Sequence, residues 1–280
     1  MSRIVYVNGE YLPEEQGKIS IFDRGFLFAD GIYEVTAIVN GKLVDYDPHM
    51  ERLERSLNEI RMDWPCARDE LRAVHLELVK RNGLKEGIVY MQVTRGSADR
   101  DFKFPKGVKA NLVAFTQVMT LVDNPNALTG VKVITVPDIR WQRRDIKSTM
   151  LLAPVLGKQA AYEAGAHEAW MIEDGFVTEG TSSNAYIVKN GKVITRGLSN
   201  QILAGCTRRS LFRLAKEQGI VIEERLFTAE EAYAADETFL TSASQFVMPI
   251  VEIDGHRIGG GQVGPVVRKL REIFLQEAVK

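Results

Sequence analysis

Ala169-Trp-Met-Ile-Glu-Asp-Gly-Phe-Val-Thr-Glu179-Gly-Thr-Ser-Ser-Asn184-Ala-Tyr-Ile-Val-Lys-Asn190-Gly191 alternates short apolar runs with two Asx-Gly pairs. Asp174-Gly175 separates Ala169–Ile172 from Phe176-Val177, and Asn190-Gly191 follows Ala185–Val188. Such pairs suit a two-residue hairpin turn, whose central positions both need positive φ. The stretch therefore predicts consecutive antiparallel hairpins. The same device recurs at Asn8-Gly9 after Ile4–Val7 and at Asn40-Gly41 after Tyr33–Val39.

Helical patterns stand between these strands. Pro48–Arg61 places Met50, Leu53, Leu57 and Ile60 at helical spacing, and Arg68–Arg81 ends at Asn82-Gly83, a C-terminal stop signal. Further strands are expected at Gly87–Arg95, Ala110–Met119 and Val131–Val136. Further helices are expected at Leu151–Ala164, Thr207–Gln218 and Val263–Val279. Leu121–Gly130, with Asp123-Asn-Pro-Asn126, reads as a connector. The expected fold class is α+β, in two domains with mostly antiparallel sheets: 1–120, the connector 121–130, and 131–280.

Composition narrows the function classes. The chain has 280 residues, 45% hydrophobic and 26% charged, with a net charge of −1. That supports a sizeable core and shows no clustered basic face of the kind nucleic acid or anionic membrane requires. Cys66 and Cys206 are too few for a disulfide framework and lack metal-ligand spacing, so no metal is expected. No apolar run approaches the roughly 18 residues of a membrane span. No charged-then-apolar leader opens the chain, and a cytoplasmic location is the expectation.

Four segments carry candidate chemistry. Arg140-Trp-Gln-Arg-Arg-Asp-Ile-Lys147-Ser puts four cations within eight positions. An amine partly desolvated beside other cations has a lowered pKa and becomes a nucleophile suited to Schiff-base formation; the plain alternative is a solvated basic strand. In Thr178-Glu179-Gly-Thr-Ser-Ser-Asn184, a buried carboxylate could keep a ring nitrogen protonated, the electron sink of pyridoxal chemistry. An exposed Glu in a polar turn is the alternative there. Leu203-Ala-Gly205-Cys206-Thr207-Arg leads into an amphipathic helix whose free amides suit an anion. Thr241-Ser242-Ala243-Ser244 is a second small-residue turn. Gly259–Gly261 reads as a loop and His49 as structural, while His167 has no evident role.

In combination these segments resemble the D-amino acid aminotransferases, pyridoxal-phosphate enzymes of fold type IV. The resemblance is carried by Ile21-Phe-Asp-Arg-Gly-Phe-Leu-Phe-Ala-Asp-Gly-Ile-Tyr33-Glu-Val, His49-Met-Glu-Arg52-Leu, Asp145-Ile-Lys147-Ser, Thr178-Glu179-Gly-Thr-Ser-Ser-Asn184 and Ile202-Leu-Ala-Gly-Cys-Thr207-Arg. It implies pyridoxal 5'-phosphate in a cleft between the domains, a larger, barrel-like C-terminal domain, and a homodimer whose partner helps close the pocket. Lys147 then matches the catalytic lysine that binds the cofactor, and Glu179 the partner of the pyridine nitrogen, supported by Arg140. Arg52, Cys206, Thr207, Ser242, Ala243 and Ser244 match the phosphate cradle. Leu203 matches the apolar residue on the ring, and Tyr33 the tyrosine near substrate and phosphate.

One departure bears on substrate. Where the resembled enzymes carry Arg-x-His after the Thr-Arg-Gly strand end, this chain has Arg100-Asp-Phe102. Arg100 retains the fork that suits a carboxylate. Phe102 in the histidine's place weakens carboxylate recognition and makes room for an amine without one; Lys103 or Arg24 are candidates for the missing charge. The implied activity is transfer of an amino group from a D-amino acid such as D-alanine to a 2-oxo acid, with (R)-primary amines as further candidate donors. The alternatives are an aminodeoxychorismate lyase, which shares fold and lysine, and a branched-chain L-amino acid aminotransferase.

Overall fold

The computed structural model describes residues 2–280, which pack as two compact units. One comprises the chain up to Thr120 together with Ile146–Met150; the other comprises Leu121–Asp145 and Leu151–Lys280. No helix among the described residues is long and apolar enough to cross a membrane.

The first unit contains β1 (Ile4–Val7), β2 (Glu10–Pro13), α1 (Arg24–Phe28), β3 (Gly31–Val39), β4 (Lys42–Leu43), α2 (Tyr46–Glu59), α3 (Arg68–Arg81), β5 (Gly87–Thr94) and β6 (Asn111–Val118). Its six strands run in the order β2-β1-β6-β5-β3-β4, every pairing antiparallel. Met50, Leu53 and Leu57 of α2 and Leu71, Val74 and Leu78 of α3 pack with Ile32, Ile38, Val89 and Met91 of the sheet. Each such burial contributes about 1.5–3 kcal/mol before the entropy of ordering is subtracted.

The second unit contains α4 (Asn126–Thr129), β7 (Val131–Pro137), α5 (Leu152–Glu163), β8 (Glu168–Glu173), β9 (Phe176–Gly180), β10 (Asn184–Lys189), β11 (Lys192–Thr195), α6 (Cys206–Glu217), β12 (Ile222–Glu224), α7 (Ala229–Tyr233), β13 (Glu237–Ser242), β14 (Phe246–Ile253), β15 (His256–Arg257) and α8 (Pro265–Ala278). Its main strand order is β12-β11-β10-β13-β14-β7-β8-β9. The pairings β14–β7, β7–β8 and β11–β12 are parallel and the rest antiparallel, so the sheet is mixed. Trp170, Val177, Ile187, Phe227, Leu240 and Met248 belong to its core.

All four Asx-Gly pairs adopt the predicted turn geometry. Asn8, Asn40, Asp174 and Asn190 have φ of 49–52°, and each following glycine is also positive; Asp254-Gly255 is a fifth such turn, joining β14 to β15. Two differences from the sequence expectation matter for the site. The segment 121–130 is no free linker: Leu121 is fully buried, α4 forms within it, and it packs with the second unit. Ile146–Met150, placed by sequence in the C-terminal domain, belongs instead to the first unit. There Lys147 O accepts from Tyr33 N at 3.0 Å, Lys147 N donates to Ser56 Oγ at 3.3 Å, and Ile146 joins the core. A strand edge and an apolar side chain outweigh chain proximity.

Candidate active site

In the second unit, β9 delivers Glu179 into the interior, where only 3% of it is exposed. Arg140 Nη1 donates to Glu179 Oε1 at 2.6 Å, Asn184 Nδ2 to Oε2 at 3.0 Å, and the Leu203 amide to the carboxylate at 3.1 Å. Arg140 is itself fixed by Asp138, through Nη2–Oδ2 at 2.7 Å and Nε–Oδ1 at 3.0 Å, and Thr178 Oγ1 donates to the same carboxylate. Burial pushes the Glu179 carboxyl above the usual carboxylate range against the pull of Arg140. Asp138 moves the other way: burial opposes ionisation, but Arg140 and Thr178 override it. Asp138 was not singled out from sequence; its one signal is an acid two residues before Arg140 at a strand end.

The basic run is not a positive cluster. Arg140 pairs with Asp138 and Glu179, Arg143 with Asp145, and Arg144 with Glu173 at 2.6 Å. Each arginine of the run is neutralised by a carboxylate of its own unit.

Gly205 caps α6 with no side-chain hydrogen bond, so the first-turn amides at buried Cys206 and Thr207 have no capping side chain to serve them. A Cβ at 205 would collide with Asn184 Oδ1, which only glycine avoids. The turn Ser242-Ala243-Ser244 follows β13, on which α6 packs, and its two serine hydroxyls lie 3.4 Å apart. Phe246 closes it with φ of 57°, a left-handed conformation that costs a bulky residue about 1–3 kcal/mol. Leu203 is half-buried, and its amide on Glu179 is a role the sequence did not suggest.

In the first unit, Lys147 is half-buried, with Nζ 4.1 Å from the centroid of the Tyr33 ring; Tyr33 in turn stacks on Tyr90 at 5.6 Å. Arg52, on α2, clasps the fully buried Glu34 of β3 through Nε–Oε1 at 2.8 Å and Nη2–Oε2 at 2.7 Å, while His49 Nδ1 bonds Oε2 at 2.7 Å. Burial alone would raise the Glu34 carboxyl, but Arg52 and His49 hold it down to about 2. Glu34 lies inside the motif that ends at Tyr33-Glu-Val, yet only its placement facing α2 reveals the pair.

The loop after β5 is different. Arg100 is exposed, its guanidinium 5.1 Å from the Phe28 ring and 5.4 Å from that of Phe102, which is 77% exposed. Arg24 is no spare cation: it is buried, bonded to Asp30 at 2.8 Å and to Asp101 O at 2.6 Å. Lys103 is largely exposed, 3.6 Å from Asp101.

These donors fit pyridoxal phosphate. A buried carboxylate of raised proton affinity suits a pyridinium N–H, and uncapped helix amides and the serine hydroxyls of the turn after β13 each suit a phosphate. Comparison with known proteins agrees. Residues 31–253 match the family described as Amino-transferase class IV. The chain is 41% identical over 273 residues to a D-alanine aminotransferase of Staphylococcus haemolyticus, covering 96% of each chain. It is 40% identical over 280 residues to that of Bacillus licheniformis, covering 99% of each. Among solved structures, a branched-chain amino acid aminotransferase of T.th. with pyridoxamine 5'-phosphate superposes with a TM-score of 0.90 at 26% identity, covering 99% of this chain and 94% of that one. The Escherichia coli branched-chain enzyme gives 0.90 at 22% identity, with the same coverages, a likeness of fold alone. With the family matched over most of its length, this chain belongs to the class IV aminotransferases, pyridoxal-phosphate enzymes of fold type IV.

Proposed function

We propose that this aminotransferase takes the amino group of a D-amino acid such as D-alanine and delivers it to a 2-oxo acid, acting as a cytoplasmic homodimer. The observation that carries the reading is the buried Glu179 nest with Arg140, Asn184 and the Leu203 amide. Its D-amino acid specificity rests on relatives named D-alanine aminotransferase at 40–42% identity; the branched-chain structures stand at 22–29%.

When bound, pyridoxal phosphate supplies an aldehyde for the amine and a ring that accepts the electrons released at the α-carbon. Lys147 Nζ would be the base that takes the proton from the donor's α-carbon and, in the second half of the reaction, the acid that protonates the acceptor's α-carbon. Glu179, backed by Arg140, would hold the proton on the ring nitrogen. The α6 amides of Cys206 and Thr207, with Ser242, Ala243 and Ser244, would hold the phosphate, the role the resemblance also gives Arg52. Leu203 would pack on the ring, and Tyr33 would line the substrate side. Arg100 reads the substrate carboxylate, and Phe102 leaves room for (R)-primary amines. Self-association is supported in each unit by exposed apolar side chains: Ile21, Phe22 and Phe26 in the first, and the α5 face of Leu152, Val155, Leu156 and Tyr162 in the second.

The test is to add single amino donors to the holoenzyme and follow its visible absorbance. Bleaching by D-alanine, reversed by a 2-oxo acid, is expected. Bleaching by L-leucine or L-glutamate alone would remove the D-specific reading, and pyruvate release from aminodeoxychorismate without amine retention would point to a lyase.

A further inference from the structure

Glu168, at the start of β8, is fully buried, and its carboxylate gathers one turn of the chain. The hydroxyls of Thr181, Ser182 and Ser183 all donate to it, the last two at 3.2 Å, and the Ala169 amide donates at 2.9 Å. Lys158 Nζ stands 3.5 Å away and also donates to His167 O at 2.5 Å. Those three hydroxyl residues are the turn that joins Glu179-Gly180 to Asn184. It closes with Gly180 N donating to Ser183 O at 2.7 Å, and a Cβ at 180 would strike Ser183 Oγ. The next residue back points elsewhere. His167 Nε2 is 2.7 Å from Gln245 Oε1, and Gln245 directly follows Ser242-Ala243-Ser244. Beyond it stands Phe246 in its left-handed conformation, which persists only if the surroundings over-determine the turn. Arg271 supplies part of that hold, donating to the carbonyls of Gln245 at 3.2 Å and Val247 at 2.9 Å.

We propose that His167 and Glu168 are paired positioning residues for the cofactor: Glu168 sets the turn that aims Glu179 and Asn184, and His167 sets the phosphate-side turn at 242–244. Adjacent residues at a strand end face opposite ways. Two neighbours can therefore hold two separate turns in fixed relation, with Lys158 tying both to α5. This rests on the function proposed above, in which Glu179 serves the ring nitrogen.

The experiment titrates apoenzyme with pyridoxal phosphate and, separately, with pyridoxal, alongside kcat, KM and Tm. Glu168→Gln keeps size but replaces one acceptor oxygen by a donor. It is expected to raise the Kd for both compounds at least about tenfold and to lower kcat, with the donor KM little changed; Glu168→Asp should recover part of the loss. His167→Ala is expected to weaken pyridoxal phosphate severalfold and leave pyridoxal unaffected. Val193→Ala, a buried truncation on β11 in the same unit, controls for stability. Wild-type Kd and kcat in Glu168→Gln, or an equal Kd rise in Val193→Ala at matched Tm, would overturn the role of Glu168. Equal losses for both compounds in His167→Ala would overturn that of His167. If wild type itself takes up no pyridoxal phosphate, the proposed function fails instead.

Discussion

Glu179 and Arg100 are both charged residues assigned to recognition, and their surroundings could hardly differ more. Glu179 is buried and held by Arg140, Asn184 and a backbone amide, with Asp138 fixing Arg140 behind it. Arg100 is exposed, and the two aromatic rings beside it lie more than 5 Å from its guanidinium. The Glu179 nest, proposed for the cofactor, is preorganised before anything binds, so its energy is stored in the fold. The substrate loop is fixed far less by its own unit. Changes at the first should cost binding and stability together, and changes at the second should act on specificity alone.

The largest test of that contrast is Lys147→Ala. Removing the amine should abolish the visible band of the holoenzyme and lower kcat by at least about 10²–10⁴-fold, the worth of a positioned acid–base group. A normal spectrum in this variant would sink the assignment. Next is Glu34→Gln, which removes the buried carboxylate charge that Arg52 and His49 both contact. We expect a loss of about 3–5 kcal/mol, read by denaturant unfolding at neutral pH. The Glu34 carboxyl sits at about 2 instead of its ordinary 4.5, so its contribution is present above pH 4.5 and lost as pH falls from there towards 2. The stability gap between wild type and Glu34→Gln should therefore narrow across that window; a gap independent of pH would show that the pair is not ionic.

On the exposed side, Arg100→Ala should raise KM for D-amino acids about 10- to 100-fold, from about 1.5–3 kcal/mol of lost charge-assisted bonding, with Tm unchanged. Neutral amines should barely respond; equal effects on both would mean that Arg100 does not read the carboxylate. The smallest effect is expected from Phe102→His, which restores a donor: a severalfold lower KM for D-amino acids, measured beside the turnover of (R)-amines. A loss of D-amino acid activity there would place Phe102 in the packing of the loop instead.

Much of this was legible in the chain itself, because some signals are local. An Asx-Gly pair needs positive φ wherever it sits, and all four that were read became turns. Arg68–Arg81 forms a helix with the predicted bounds, since its apolar spacing and its Asn82-Gly83 stop act within a few residues. Long-range choices were not legible. The parallel pairing of β14 with β7 joins residues more than a hundred positions apart, and alternation in one strand carries no word of its neighbour's direction. Asp138 and Glu34 escaped for the same reason: a carboxylate reads as solvent-facing until a buried arginine meets it.

Residue order by itself determined the hairpins, the long helices and the motif set, and singled out the lysine proposed for the chemistry, all readable because turn geometry, periodicity and residue type are short-range properties. Only the tertiary structure decided that Ile146–Met150 adds to the first unit, that the arginines near Lys147 are neutralised by carboxylates, and that Glu179 is buried within three donors while Arg100 stands in solvent. Charge pairing and burial depend on which distant segments meet, and in a medium of low polarity that meeting sets what each ionisable group can do.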